Sequence, residues 1–153
     1  MISLPGREAP THLVQAIIKD FAVHFVPQGK LIYARHTESQ PEILDHASFT
    51  LLGLTTIHPD KLPTVMFYDQ ARNWLILAEA ARPIDQQRRR ELAELFNGSG
   101  TELVYVTAFS DRSETFQDFI ATVEWGTHIW CASDPTHLIH FDGLRFFGPY
   151  HLS

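Results

Sequence analysis

Two apolar runs rich in β-branched and aromatic residues, Val65–Tyr68 and Trp74–Ala80, flank the polar segment Asp69-Gln70-Ala71-Arg72-Asn73 and predict an antiparallel hairpin. If Asp69 faces Trp74 across the loop, the pairing of an antiparallel ladder brings Thr64 opposite Glu79. A hydroxyl and a carboxylate then share one edge of a sheet. Before the hairpin, Val14, Ile17, Ile18, Phe21 and Phe25 recur at helical spacing, with Thr11 as N-cap and Pro27-Gln28-Gly29 as the break. Lys30–Ala34 has strand chemistry, Arg35–Pro41 reads as loop, and Asp45–Leu54 as a short helix.

After the hairpin, Gln86–Phe96 places Leu92, Leu95 and Phe96 on one helical face, with Asp85 as N-cap and Asn97-Gly98 as the stop. Leu103–Thr107 is an apolar strand, Phe116, Phe119, Ile120 and Val123 mark a further helix, and His128–Ala132 reads as a strand. His137–Phe141 and Leu144–Phe147 surround Asp142-Gly143, a dipeptide suited to a type I′ turn, and predict a C-terminal β-hairpin. The fold class is α/β, a mixed β-sheet flanked by helices.

Composition bounds what such a domain can do. A hydrophobic share of 44% and a charged share of 20% over 153 residues suit one globular domain over residues 1–153 and exclude a collagen-like repeat, a coiled coil or a disordered tail. The formal charge of −6 supplies no global attraction to nucleic acid or an anionic membrane, so DNA contact requires a local patch. No run reaches the roughly 18 apolar residues of a membrane span. The single cysteine, Cys131, forms no internal disulfide, and Met1–Glu8 shows no basic start leading into an apolar run. Both features predict a reducing, cytoplasmic setting.

Helix, hairpin ending in an acidic residue, helix and strand is the layout of the PD-(D/E)XK nucleases, in which two carboxylates on adjacent strands hold a magnesium ion that activates water against a phosphodiester. The local wording is more specific. Leu62-Pro63-Thr64-Val65, Tyr68-Asp69, Arg72-Asn73-Trp74-Leu75, Glu79-Ala80, Val106-Thr107-Ala108-Phe109 and Asp111-Arg112 resemble the BsuBI/PstI-type restriction endonucleases. So does the run from His137-Leu138-Ile139-His140-Phe141-Asp142-Gly143 through Arg145-Phe146 to Gly148-Pro149-Tyr150. The resemblance runs in family order from the first helix to Tyr150.

It implies a restriction-endonuclease-like core, Mg2+-dependent cleavage of double-stranded DNA, and Glu79 as the second carboxylate of the metal site. The first carboxylate, an aspartate after Leu-Pro in the family pattern, is replaced here by Thr64. Gln87-Arg88 stands in place of a Lys-Arg pair, the stretch after Glu79 is shortened, His12 replaces an acidic residue, and Arg35-His36 stands where Gly-Asp is expected. A hydroxyl brings no charge to a hard dication, so a single glutamate leaves the ion poorly held. Asp60, in the approach to the same strand, is the candidate substitute ligand beside Glu79, and Gln87 or Arg88 the candidate positive or polar group. The expected catalytic set is therefore Glu79, Thr64, Gln87 and Arg88.

Two classes follow: a pseudo-nuclease that binds DNA or protein without hydrolysis, or a nuclease using the displaced ligands Asp60, Glu79 and Gln87. Family members resemble longer proteins with a separate N-terminal helical domain. A partner protein is thus expected to supply recognition, and restriction enzymes of this kind commonly cut as dimers, which makes a homodimer a further expectation.

Each residue also has a structural reading. Glu79 suits a strand-end carboxylate paired with Arg82 or Arg88, and Thr64 is a good strand residue. Arg82, Arg88, Arg89 and Arg90 make the densest positive patch, a candidate phosphate-binding surface or simply a solvated helix face. Among the histidines, His128, His137, His140 and His151 invite a zinc reading, but His137 and His140 would point to opposite faces of one strand. A polar pair of His140 with Arg145 across the terminal turn is simpler.

Overall fold

A computed structural model describes residues 10–111 and 120–141. The first helix runs through Thr11–Ala16, widens to a π-type turn over Ile17–Phe21 and closes over Ala22–Phe25. Its cap is Pro10 and not Thr11: the Pro10 carbonyl accepts from the Val14 N–H at 3.0 Å, so Thr11 is already the first helical residue. Leu13, Val14, Ile17 and Phe21 form its buried stripe.

The strands are β1 (Lys30–Ala34), β2 (Ile43–Leu44), β3 (Val65–Asp69), β4 (Trp74–Ala80), β5 (Glu102–Phe109), β6 (Thr127–Cys131) and β7 (Ile139–Phe141). They form one sheet in the order β2-β1-β3-β4-β5-β6-β7. β3 and β4 are antiparallel, β4, β5 and β6 run parallel, and β6 and β7 are antiparallel again, so the sheet is mixed as expected. The short β2, absent from the sequence reading, pairs with β1 through Tyr33 and Leu44.

The hairpin register is the expected one, with Asp69 opposite Trp74 and Val65 opposite Ala78. Asn73, at φ 56, completes the turn in the left-handed conformation that asparagine tolerates.

Period-two alternation divides the core into two layers. Val65, Phe67, Ile76, Ala78, Val106 and Trp130 pack against the first helix. On the opposite face, Met66, Leu75, Leu77 and Tyr105 pack against Leu92 and Phe96 of the Gln86–Phe96 helix and against Phe49 and Leu54. The Asp85 carboxylate caps that helix by accepting from the Arg88 N–H at 2.9 Å. The α-helix ends at Phe96 with Asn97 as its C-cap, at the expected stop; a 3-10 turn over Asn97–Ser99 follows, and Gly100, at φ 73, reverses the chain because glycine has no Cβ to resist that conformation.

The predicted 45–54 helix occupies His46–Leu51, with Asp45 accepting from the Ser48 N–H. Of the helix expected around Phe116 to Val123, residues 116 and 119 lie outside the described residues and Ile120–Thr122 is a 3-10 turn. The second strand of the C-terminal hairpin, Leu144–Phe147, also lies outside them, while Ile139 of the first pairs with Ile129. His137 precedes β7 and its Nδ1 lies 2.8 Å from an Asp134 oxygen, so the premise that His137 and His140 share a strand is corrected. No helix among the described residues is long and apolar enough to cross a membrane.

Candidate active site

Thr64, Glu79 and Thr107 meet at one end of the three central strands for a reason of parity. Glu79 follows Leu75 and Leu77 at period two, Thr64 precedes Met66, and Thr107 follows Tyr105, so all three belong to the face covered by the Gln86–Phe96 helix. The ladder register carries Thr64 to Glu79: the Glu79 Oε1 accepts from the Thr64 N–H at 3.0 Å and from the Thr64 hydroxyl at 3.2 Å. That hydroxyl in turn accepts from the Ala80 N–H at 3.1 Å. Thr107, level with Glu79 on β5, accepts from the Ile84 N–H through Oγ1 at 3.0 Å.

Glu79 is only 7% exposed. Its other oxygen, Oε2, accepts from the Arg88 Nε at 2.7 Å. Arg88 lies one helical turn before Leu92, so the stripe that buries Leu92 and Phe96 aims it at the sheet. Its Nη1 donates to Glu91 and its Nη2 to the Lys61 carbonyl at 3.2 Å. Burial works against the guanidinium charge, but the carboxylates of Glu79 and Glu91 outweigh it and raise its pKa above the ordinary arginine value.

These groups open on a cleft of about 400 Å³ lined also by Tyr33, Arg35, His36, Glu42, Asp60 and Arg82. Tyr33 donates its hydroxyl to Glu42 at 2.8 Å, and burial together with that carboxylate pushes the phenol above its ordinary range. Arg35 donates to the Leu62 carbonyl at 2.6 Å, bracing the segment that leads to Thr64.

The candidate residues are therefore placed unequally. Thr64, Glu79 and Arg88 are in direct contact. Asp60 lines the same cleft on a 3-10 turn, with Oδ2 3.6 Å from His58 Nδ1. Gln87 is exposed on the helix outside the cleft lining. The four arginines do not form one surface: Arg82 and Arg90 are exposed, Arg88 turns inward, and Arg89 lies over the Tyr105 ring at 5.1 Å beside Gly126. His12 is 3.0 Å from the Ser110 hydroxyl, joining the start of the first helix to the end of β5. His128 stacks edge-on against His140, ring centres 4.5 Å apart.

Three contributors escaped the sequence reading: Thr107, Glu91 and the Lys61 carbonyl. Glu91 had a signal in its three-residue spacing from Arg88, and Thr107 in its parity with Tyr105.

A hard dication takes six or more oxygen ligands, carboxylates first among them. Here, among the described residues, Glu79 is the carboxylate that the hairpin strands themselves supply at this end, while Glu42, Asp60, Asp85 and Glu91 line the cleft from other segments. Protein donors contact both oxygens of Glu79, and a guanidinium stands at contact distance. Among the described residues, no three His, Cys, Asp or Glu side chains are grouped to hold a metal. As placed, the described residues do not fit a magnesium ion.

The profile of the BsuBI/PstI restriction endonuclease domain matches residues 4–144. The chain belongs to that family. It is 42% identical over 149 residues to the type II restriction enzyme BsuBI of Bacillus subtilis, covering 95% of this chain and 46% of that enzyme. It is 26% identical over 147 residues to the type II restriction enzyme AplI of Arthrospira platensis, covering 88% of this chain and 44% of that one. The fold matches the SdaI restriction endonuclease with a TM-score of 0.82 and 35% identity, over 92% of this chain and 45% of that one. The chain thus spans about half the length of the curated relatives it matches.

Proposed function

We propose that this BsuBI/PstI domain engages double-stranded DNA weakly and that its phosphodiester hydrolysis is severely impaired. The supporting observation is the pair of hydrogen bonds from Thr64 to Glu79 at the position where the family pattern carries its first carboxylate. Hydrolysis by two carboxylates needs the ion to be held in position and its bound water made acidic. Thr64 supplies no charge for either task. Magnesium would serve this chain only through displaced ligands, of which Asp60 shares the cleft with Glu79 and Gln87 does not. Weak DNA affinity is expected from the net charge of −6 and from the dispersal of the arginines.

The test is plasmid cleavage by the purified chain with magnesium and with manganese, alongside binding to duplex DNA. The expected result is no cutting with magnesium, at most a trace with manganese, and weak binding that declines with salt. Robust cutting lost in both Glu79→Ala and Asp60→Ala would overturn the reading in favour of a nuclease with displaced ligands. A stable protein complex without DNA binding would make the domain a protein-interaction module.

A further inference from the structure

We infer that the guanidinium of Arg88 is the resident cation of this centre, taking over from a divalent metal the tasks of neutralising Glu79 and joining the surrounding elements. The inference rests on reading Thr64 and Glu79 as the family's metal-site positions, and it concerns what holds Glu79 rather than what the domain does to DNA. A buried carboxylate needs a counter-charge. Two carboxylates balance a dication. With Thr64 in place of one of them, Glu79 is left as the buried carboxylate of the hairpin end, and the guanidinium of Arg88 faces it, with the partly exposed Glu91 as a second partner.

The geometry is that of a ligated cation. Nε faces Glu79 at the end of β4, Nη2 faces the carbonyl of Lys61 in the approach to β3, and Nη1 faces Glu91 on the helix itself. A planar fork reaches three oxygens in three directions, which a lysine ammonium on a flexible stem does less well. The local chain is built to deliver it. Asp85 caps the helix three residues before Arg88, and Ala81, at φ 63, turns the chain immediately after β4, so the helix starts close to Glu79. Arg88 stands at the Glu79 Oε2, where a metal bound to both oxygens would have to displace it.

The experiment is thermal melting of the full chain in chelator, in millimolar magnesium and in millimolar manganese, for wild type and four variants. Wild type should melt at the same temperature in all three. Arg88→Met should lower Tm by on the order of 10 °C, because it strands a buried charge, and Arg88→Lys should lose less. Glu79→Gln/Arg88→Met should recover more than half of that loss, since the buried charge of Glu79 goes with its partner and Glu91, the other carboxylate on Arg88, is partly exposed to solvent. Thr64→Asp/Arg88→Met, which rebuilds two carboxylates and removes the guanidinium, should regain stability on adding magnesium and not in chelator.

If Arg88→Met fails to fold, a folded Glu79→Gln/Arg88→Met double variant supports the inference and an unfolded one overturns it. Additive losses in the double variant would make Arg88 a packing residue and overturn it, as would failure of Thr64→Asp/Arg88→Met to respond to magnesium. A wild type that melts higher in magnesium while cutting no DNA overturns this inference and leaves the proposed function standing. A metal-insensitive wild type that cuts DNA does the reverse.

Discussion

Ala81 holds a left-handed φ of 63 that costs an L-residue roughly 1–2 kcal/mol, and it does so where the chain leaves Glu79 for the next helix. The Ala81 N–H still reaches the Ala108 carbonyl at 2.7 Å, so the turn is tied to β5. Glycine adopts this conformation without strain but starts from a more disordered unfolded chain. Ala81→Gly should therefore raise stability by about 0.5 kcal/mol, a Tm gain on the order of 2 °C. A lower Tm would show that the turn relaxes with alanine present. Thr107 makes a second single-residue test. It is fully buried, and Thr107→Val would leave the Ile84 N–H without its acceptor, costing about 1–3 kcal/mol in denaturant unfolding. Thr107→Ser keeps the hydroxyl and should cost less. At this scale the facing of Thr64 and Glu79 could be read from the chain, because an antiparallel register propagates residue by residue. The grip of Arg88 on Glu79 was one of two structural options, Arg82 being the other, and only the direction of the helix chose between them.

The β3–β4 hairpin is anchored at the end away from Glu79 by Asp69, whose Oδ2 accepts from the Arg72 Nε at 2.6 Å while Oδ1 accepts from the Arg72 N–H at 3.3 Å. Arg72 also covers the Trp74 ring at 3.9 Å and donates to the Phe25 carbonyl at 3.1 Å, tying the turn to the end of the first helix. Burial pushes the Asp69 carboxyl upward, but the bonds and charge of Arg72 prevail and hold its pKa below the ordinary carboxylate value. A depressed carboxylate stabilises the fold above its unfolded pKa, near about 4, and that contribution is lost as pH falls through the lower folded value. The Tm gap between wild type and Asp69→Asn should hold from neutral pH down to about 5 and shrink below about 4. A gap constant down to about pH 3 would remove the ion pair from the account. The hairpin and the Gln86–Phe96 helix were legible as elements, since period two and period 3.6 are local properties. The Ile17–Phe21 π-type turn and the two-residue β2 carry no such period and were not.

Across the whole molecule, the sheet is a partition between two apolar layers. Trp130 is fully buried on the first-helix side, packs edge-on against Phe21 and donates its indole N–H to the Pro135 carbonyl at 3.0 Å. Trp130→Ala should cost about 3–5 kcal/mol in denaturant unfolding. A loss under about 1 kcal/mol would place the main core on the other face. The strands other than β2, the helices on either side and the Thr64–Glu79 register follow from the order of residues alone, because alternation, helical spacing and turn chemistry act over a few neighbouring positions. Tertiary structure decided the rest: the strand order and the parallel run of β4, β5 and β6, the junction of Tyr33 with Glu42 and of Asp60 with Glu79 in one cleft, and the scattering of four arginines that lie close in sequence. It also decided that Arg88 reaches Glu79, Glu91 and the Lys61 carbonyl together. Those meetings depend on how far a connecting segment lets a helix settle over the sheet, and that distance is set by packing between remote parts of the chain, which no local periodicity encodes.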